Sequence, residues 1–239
     1  MLIHGDCAVE LPKISSNSVD LVLTDPPYNL GSFMKGRNTN LGAMRSNFFV
    51  DAGWDDCSTD QWKTLMDLFL SHSARILKPG GSAVVFMSVV KMETMILLAQ
   101  KHGFYYKTTG VWHKTNPMPR NMNLHYVNST ELWAYFVYGA KTGTFNNDGK
   151  LLHDFLQSSV TPKNEKLFGV HPTQKPLSIM EHFVSTLSNV NDCVLDPFMG
   201  SGSSMVAARK LGRRYIGIEK EANYYVLARK RLDPASAQE

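Results

Sequence analysis

Val194-Leu195-Asp196-Pro197-Phe198-Met199-Gly200-Ser201-Gly202-Ser203-Ser204 reads as an apolar strand that opens into a glycine-rich turn and then a helix. The helix pattern runs from Met205 to Leu211 and Gly212 stops it. A strand that passes through such a turn into a helix is the start of a βαβ unit, and glycines there let the backbone approach a ligand closely. The following strand, Arg214-Tyr215-Ile216-Gly217-Ile218-Glu219, ends in an acid about twenty residues past the glycines, a spacing at which a carboxylate accepts ribose hydroxyls in mononucleotide-binding folds. The turn lacks the third glycine of the dinucleotide fingerprint and the Gly-Lys-Ser/Thr of a phosphate-binding loop. With no lysine in it, the turn suits a nucleoside that carries no phosphate.

Outward from this unit, strand and helix patterns alternate. Met1–His4, Val19–Thr24, Ser82–Met87, Tyr105–His113, Glu131–Tyr138 and Cys193–Pro197 read as further strands. Gln61–Leu77 carries a helical stripe (Trp62, Leu65, Met66, Phe69, Leu70, Ala74, Leu77) that Lys78-Pro79-Gly80-Gly81 stops. Lys91–His102, Pro176–Leu187 and Glu221–Leu232 are the other helices, and Asp233–Glu239 reads as a frayed tail. The alternation predicts an α/β fold with a doubly wound, mostly parallel sheet covered on both faces. Ligands in such sheets bind at the carboxyl ends of strands, where strand order reverses.

A second strand end carries chemistry. Val19-Asp20-Leu21-Val22-Leu23-Thr24 runs directly into Asp25-Pro26-Pro27-Tyr28. The two prolines fix φ, remove two N–H donors and bias the residues before them away from the helical region. What remains is a stiff edge of acceptors, the Asp25 carboxylate and backbone carbonyls, beside an aromatic ring. Such an edge suits an exocyclic amino group on a flat base. Alone it also fits a strand-to-turn junction with incidental prolines; paired with the glycine turn it does not stand alone.

The Asp-Pro-Pro-Tyr edge together with the Asp-Pro-Phe-x-Gly-Ser-Gly turn resembles the amino-methyltransferases of DNA, which move a methyl group from S-adenosyl-L-methionine to N6 of adenine or N4 of cytosine. Here the catalytic motif precedes the cofactor motif, similar to the circularly permuted β-type order of that family. His171-Pro172-Thr173-Gln174-Lys175-Pro176 and Asn116-Pro117-Met118-Pro119-Arg120 also resemble family segments, and the likeness runs from Gly5-Asp6 to Glu219. The resemblance implies a seven-stranded, Rossmann-like methyltransferase sheet with a small target-recognition insertion. It implies one domain over 1–239, with a catalytic half at 1–115, target recognition at 121–170 and a cofactor-binding half at 171–232.

Carried over residue by residue, the resemblance makes Asp25, Pro26, Pro27 and Tyr28 catalytic. Toward the cofactor it brings Asp6 and Cys7 (adenine edge), Glu219 (ribose), Gly200, Ser201, Gly202 and Ser203 (turn), Phe198 (methionine portion), Thr173, Gln174 and Lys175 (carboxylate), with Asp25 and Asp196 at the strand ends. Each has a plainer reading: Phe198 as core, Glu219 as a helix N-terminal charge, Cys7 as a small buried hydrophobe, Lys175 as surface. The target amine is unreachable inside a duplex, so the base must flip out at a cost of a few kcal/mol. Stacking on Tyr28 returns about 1–3 kcal/mol. Relatives acting on cytosine more often place Ser at the first position of the tetrapeptide, so Asp25 favours adenine. The alternatives are N4 of cytosine, a protein or RNA amide (for which relatives carry Asn-Pro-Pro-Tyr downstream of the cofactor motif), and a catalytically silent nucleic-acid-binding module.

Composition bounds the rest. The chain has 239 residues, a net charge of +4 and a pI of about 8.9, mildly basic and compatible with DNA. Cys7, Cys57 and Cys193 are scattered, and the histidines make no metal-ligand spacing, so neither a disulfide framework nor a metal is expected. The longest apolar stretch, around Ala83–Val90, is too short for a bilayer; a cytoplasmic protein is the expectation. Two long segments break the alternation. Asn29–Ser58 carries Lys35, Arg37 and Arg45, suited to gripping DNA or closing over a flipped base, and equally suited to a surface loop. Arg120, Asn121, Asn123 and His125 open the target-recognition interval; Arg suits guanine edges and Asn adenine edges, although Arg120 serves as well on a phosphate. The resemblance further implies a homodimer and a cognate restriction endonuclease as partners.

Overall fold

Side chains of a strand alternate in direction, and in β2 (Val19–Thr24) both directions are buried: Val22 packs in the core on one face, Leu21 and Leu23 in the core on the other. The computed structural model describes residues 1–29, 57–118 and 126–233. Among these, the other strands are β1 (Leu2–His4), β3 (Leu77–Met87), β4 (Phe104–Lys114), β5 (Thr130–Tyr138), β6 (Phe155–Ser158), β7 (Cys193–Asp196) and β8 (Arg214–Glu219). They form one sheet in the order β1-β8-β7-β2-β3-β5-β4-β6. Five of its seven pairings are parallel; β5 runs against both β3 and β4.

Helices α1 (Cys7–Glu10), α2 (Thr59–Ile76) and α3 (Val89–Lys101) cover one face, with Leu11, Trp62, Phe69 and Met95 in its core. On the other face lie α4 (Leu177–Leu187), α5 (Ser203–Lys210) and α6 (Ala222–Leu232), with Phe183, Met205 and Ala228 buried. The doubly wound α/β arrangement agrees with the expectation. The sheet has one strand more than the seven expected: β6, four residues paired with β4 at the edge, inside the interval assigned to target recognition. Lys78–Gly81 does end α2, yet Leu77 already pairs with Val19, so β3 starts before the glycines and they bulge out between Leu77 and Ser82. Asp20, the lone charge within β2, anchors that bulge: it takes Lys78 at 2.6 Å and the Cys193 amide at 2.8 Å, tying three strands.

The order of strands fixes the position of the site. From β7 the chain moves outward through β8, and from β2 it moves the opposite way to β3, so strand order reverses between β2 and β7. The carboxyl ends of β1, β2, β3, β4, β7 and β8 therefore face one side. Because β5 is antiparallel, its amino end faces that side too. Among the described residues no helix is long and apolar enough to cross a membrane, and no cluster of three or more His, Cys, Asp or Glu could hold a metal.

Candidate active site

Trp62 of α2 and the edge's own tyrosine hold the Asp25-Pro26-Pro27-Tyr28 segment. Ser58 caps α2 reciprocally with Gln61, the Gln61 amide donating to the Ser58 hydroxyl (3.1 Å) and the Ser58 amide to the Gln61 side chain (2.9 Å). The cap sets the first turn, from which the buried Trp62 indole donates to the Pro27 carbonyl at 2.8 Å. Tyr28 donates its hydroxyl to Asp25 at 2.6 Å. Below the edge, Thr24 donates to Asp196 at the end of β7 at 2.7 Å, so the ends of β2 and β7 are joined by side chains as well as by the sheet.

Asp196 is buried, with Ser204 and the Phe198 amide (3.1 Å) as further donors. Burial nevertheless pushes its carboxyl up to about 6. Its oxygens are engaged by the protein and fix the base of the glycine turn. In that turn Gly200 (φ 51°) and Gly202 (φ 77°) adopt left-handed backbone, and a Cβ on Gly200 would sit 3.0 Å from the His171 ring. The Gly200 amide donates to Glu219 at 2.8 Å, and the Glu221 amide to the other oxygen of Glu219 at 2.7 Å. Burial raises the Glu219 carboxyl, against the pull of these two amides. A carboxylate has about four lone-pair sites, so two amides leave capacity for hydroxyl donors. Asp6 caps α1 through the Ala8 amide (2.9 Å) and meets Lys220 at 3.1 Å; these two hold it below the usual carboxylate range although burial opposes them. Burial pushes the Cys7 thiol up to about 12. Phe198 packs edge-on against Phe69.

His171–Lys175 crosses between the two motifs. The His171 ring abuts Tyr224 at 4.2 Å, and burial drives its imidazole down to about 4. The Thr173 amide donates to His171 at 3.3 Å, Gln174 donates to the Glu165 carbonyl at 2.9 Å, and Ser203 donates to the Lys175 carbonyl at 2.8 Å. The Gln174 side-chain amide oxygen is buried with no hydrogen-bond partner among the described residues, while its backbone carbonyl accepts from the Thr161 hydroxyl. The Lys175 ammonium, 5% exposed, is ion-paired with Asp25 and lies 3.1 Å from Glu131. Glu131 in turn pairs with Lys114 at 2.6 Å. Burial alone would lower the Lys175 ammonium, but the two carboxylates hold it up. Between the carboxylates, burial wins at Asp25 and raises it; at Glu131 the two lysines outweigh burial and lower it.

The structure thus brings Asp25, Tyr28, Lys175, Asp196 and the glycine turn to one strand-end cleft, with Glu219 and Asp6 further along the same edge. Lys35, Arg37, Arg45, Arg120, Asn121, Asn123 and His125 lie outside the described residues. Three residues here were not singled out from the sequence. Glu131 and Lys114 enter through the antiparallel return of β5 beside β4, which periodicity does not announce. Arg231, on α6, donates to the Ser201 carbonyl (2.6 Å) and to the Ser201 and Ser203 hydroxyls (3.0 and 3.1 Å), and burial lowers its guanidinium to about 10.

A strand-end acid and a glycine turn without a lysine thus lie across the strand-order switch point from the Asp-Pro-Pro-Tyr edge. Comparison with known proteins gives the family. The family model described as DNA methylase matches residues 19–230, and the chain belongs to that family. It is 36% identical over 244 residues to the Type II methyltransferase M2.LlaDCHI of Lactococcus lactis subsp. cremoris, covering 98% of this chain and 89% of that protein. It is 35% identical over 246 residues to the Type II methyltransferase M2.DpnII of Streptococcus pneumoniae, with the same coverages. The crystal structure of the M1.HpyAVI–SAM complex superimposes with a TM-score of 0.73 at 30% identity, covering 98% of each chain. The chain is accordingly an S-adenosylmethionine-dependent DNA methyltransferase, and DNA is its substrate. The residues present suit that cofactor: the Gly200 cradle excludes a side chain, Glu219 keeps acceptor capacity, and the turn has no phosphate-binding lysine.

Proposed function

We propose that the chain methylates N6 of adenine, flipped out of DNA, in a site-specific restriction-modification setting. The observation that supports this is the Asp25 carboxyl group at the end of β2, next to the β7 turn: an acceptor beside the cofactor turn, with Asp rather than Ser at the first position of the tetrapeptide. The relatives named Type II methyltransferases support the setting, and with it a cognate endonuclease, a cytoplasmic location and, from the β-type resemblance, a homodimer. The division into a catalytic half (1–115), target recognition (121–170) and a cofactor-binding half (171–232) belongs to the same reading.

When bound, S-adenosylmethionine supplies an electrophilic methyl group on sulfur. Glu219 would hold its ribose, Asp6 and Cys7 its adenine edge, Phe198 its methionine portion beside the Gly200–Ser203 turn, and Thr173 and Gln174 its carboxylate. The Lys175 ammonium is committed to Asp25 and Glu131 and would leave only its backbone to the cofactor side, and Asp196 supports the turn from beneath. The lone pair of an exocyclic amine is delocalised into the base, so the amine is a poor nucleophile. Asp25 and the Pro26 carbonyl accept its two hydrogens, which draws the nitrogen toward tetrahedral and frees the lone pair for in-line attack. Tyr28 stacks on the base. The new N–C bond would form as the methyl–sulfur bond breaks, its electron pair staying on sulfur as a neutral thioether; Asp25 would stabilise the positive charge that grows on nitrogen and take up the proton that the nitrogen sheds. Transfer of labelled methyl to duplexes that carry or lack adenine tests the reading: label in adenine-containing duplexes alone supports it, and label in adenine-free, cytosine-containing duplexes overturns the base assignment.

A further inference from the structure

Two buried carboxylates share Lys175. Asp25 comes from the end of β2 and Glu131 from the second residue of β5; Lys175 lies in the segment leading to α4. Glu131 is opposite Trp112 in the β4–β5 ladder, and Lys114, two residues further along β4, reaches it diagonally on the same face. The result is a chain of alternating charge, Lys114–Glu131–Lys175–Asp25, that starts at the sheet end and finishes on the tetrapeptide. Only its last member belongs to the Asp-Pro-Pro-Tyr edge.

We propose that Glu131 is a positioning residue of the transfer reaction: it draws part of the Lys175 ammonium away from Asp25, so that Asp25 keeps the acceptor strength the target amine requires. A buried carboxylate with a lysine to itself would be neutralised by it, and one with no lysine would take up a proton. Shared between two carboxylates, the ammonium keeps Asp25 charged without saturating it. Lys114 completes the arrangement by holding Glu131 ionised. The inference rests on the methyl-transfer reading of Asp25.

The other ionisable groups around this chain are accounted for. Tyr28 donates to Asp25, Asp196 on β7 feels the Asp25 charge, and His171 and Arg231 lie on the cofactor side of Lys175, where His171 is neutral. Two substitutions at Glu131 and Lys114 therefore have opposite signs. Glu131→Gln leaves Lys175 to Asp25 alone, which lowers the Asp25 carboxyl, so the acid limb of the kcat–pH profile moves to lower pH. Lys114→Gln leaves the charged Glu131 with Lys175 as its one lysine, so Glu131 draws more of that ammonium from Asp25 and the acid limb moves to higher pH.

The test is steady-state methyl transfer by the full chain, with Kd for S-adenosylmethionine measured by calorimetry on the same preparations. Expected are a kcat loss of roughly 10- to 100-fold in Glu131→Gln, the scale of misplacing a reacting group, a cofactor Kd within about twofold of the parent, and limbs displaced in opposite directions. Superimposable pH profiles with parental kcat in both variants overturn the proposal, as does a loss confined to cofactor Kd. Should Glu131→Gln fail to fold, the Lys114→Gln limb decides alone. Absence of transfer to adenine by the parent enzyme would instead count against the reading of function itself.

Discussion

Lys175 and Asp25 stand 150 residues apart in the chain and meet as a buried ion pair at the ends of neighbouring elements. The pair joins the segment that leads into the cofactor half to the tetrapeptide of the catalytic half. It exists because β7, late in the chain, inserts beside β2 in the sheet. The permuted order of motifs along the chain thereby converges on one cleft.

Removing the acceptor tests the catalytic edge. Asp25→Ala is expected to lower kcat by at least about 100-fold, the scale of losing a preorganised electrostatic partner, while cofactor binding stays near parental. Labelled-methyl transfer alongside calorimetric titration checks this; undiminished turnover contradicts the assigned role.

At the other end of the cleft, Glu219→Gln keeps the size of the side chain and one acceptor oxygen but loses the charge. Hydrogen bonds to charged groups contribute about 1.5–3 kcal/mol, so S-adenosylmethionine should bind roughly 10- to 100-fold more weakly. One of the two amides on Glu219 also loses its acceptor, so the melting temperature should fall by a few degrees. An unchanged Kd in titration calorimetry would remove Glu219 from the ribose.

Much of this was legible because the chemistry sits within single short stretches. Asp25, Asp196 and Glu219 each end an apolar run, and a run that ends in a parallel sheet delivers its last residue to the ligand-binding edge. The turn glycines were legible for the same local reason. Glu131 was not: it begins a strand, and only an antiparallel strand brings its beginning to that edge. Lys175 read as a cofactor contact or a surface residue, and its burial against two carboxylates depends on strand order. β6 was missed because four residues, Phe155–Ser158, are too few for a period to declare itself.

Gly200 tests the cradle. Gly200→Ala places a side chain on backbone at φ 51° and 3.0 Å from His171. Left-handed backbone costs an alanine about 1–2 kcal/mol, and the ring contact adds to it. Pairing the change with His171→Ala should recover the contact part and leave the backbone part. Urea denaturation of the single and double variants measures both, and fully additive losses would contradict the contact.

Asp196 gives the pH dependence a sign. Its folded pKa of about 6 lies above the ordinary carboxylate value of 3.8, so between those values the folded protein holds a proton that the unfolded chain has released. This group's contribution to stability is fully present below about 4 and is lost as pH rises to 6, by an amount on the order of 3 kcal/mol. Asp196→Asn cannot titrate there. The stability of the variant relative to the parent should rise across that window in denaturant titrations; a constant difference contradicts a buried, titrating Asp196.

Nucleoside analysis reads the identity of the methylated atom directly. The protein is incubated with S-adenosylmethionine and mixed-sequence DNA, the product is digested, and the modified nucleoside is identified by mass spectrometry. N6-methyladenine is the expected product; N4-methylcytosine in its place would overturn the adenine assignment.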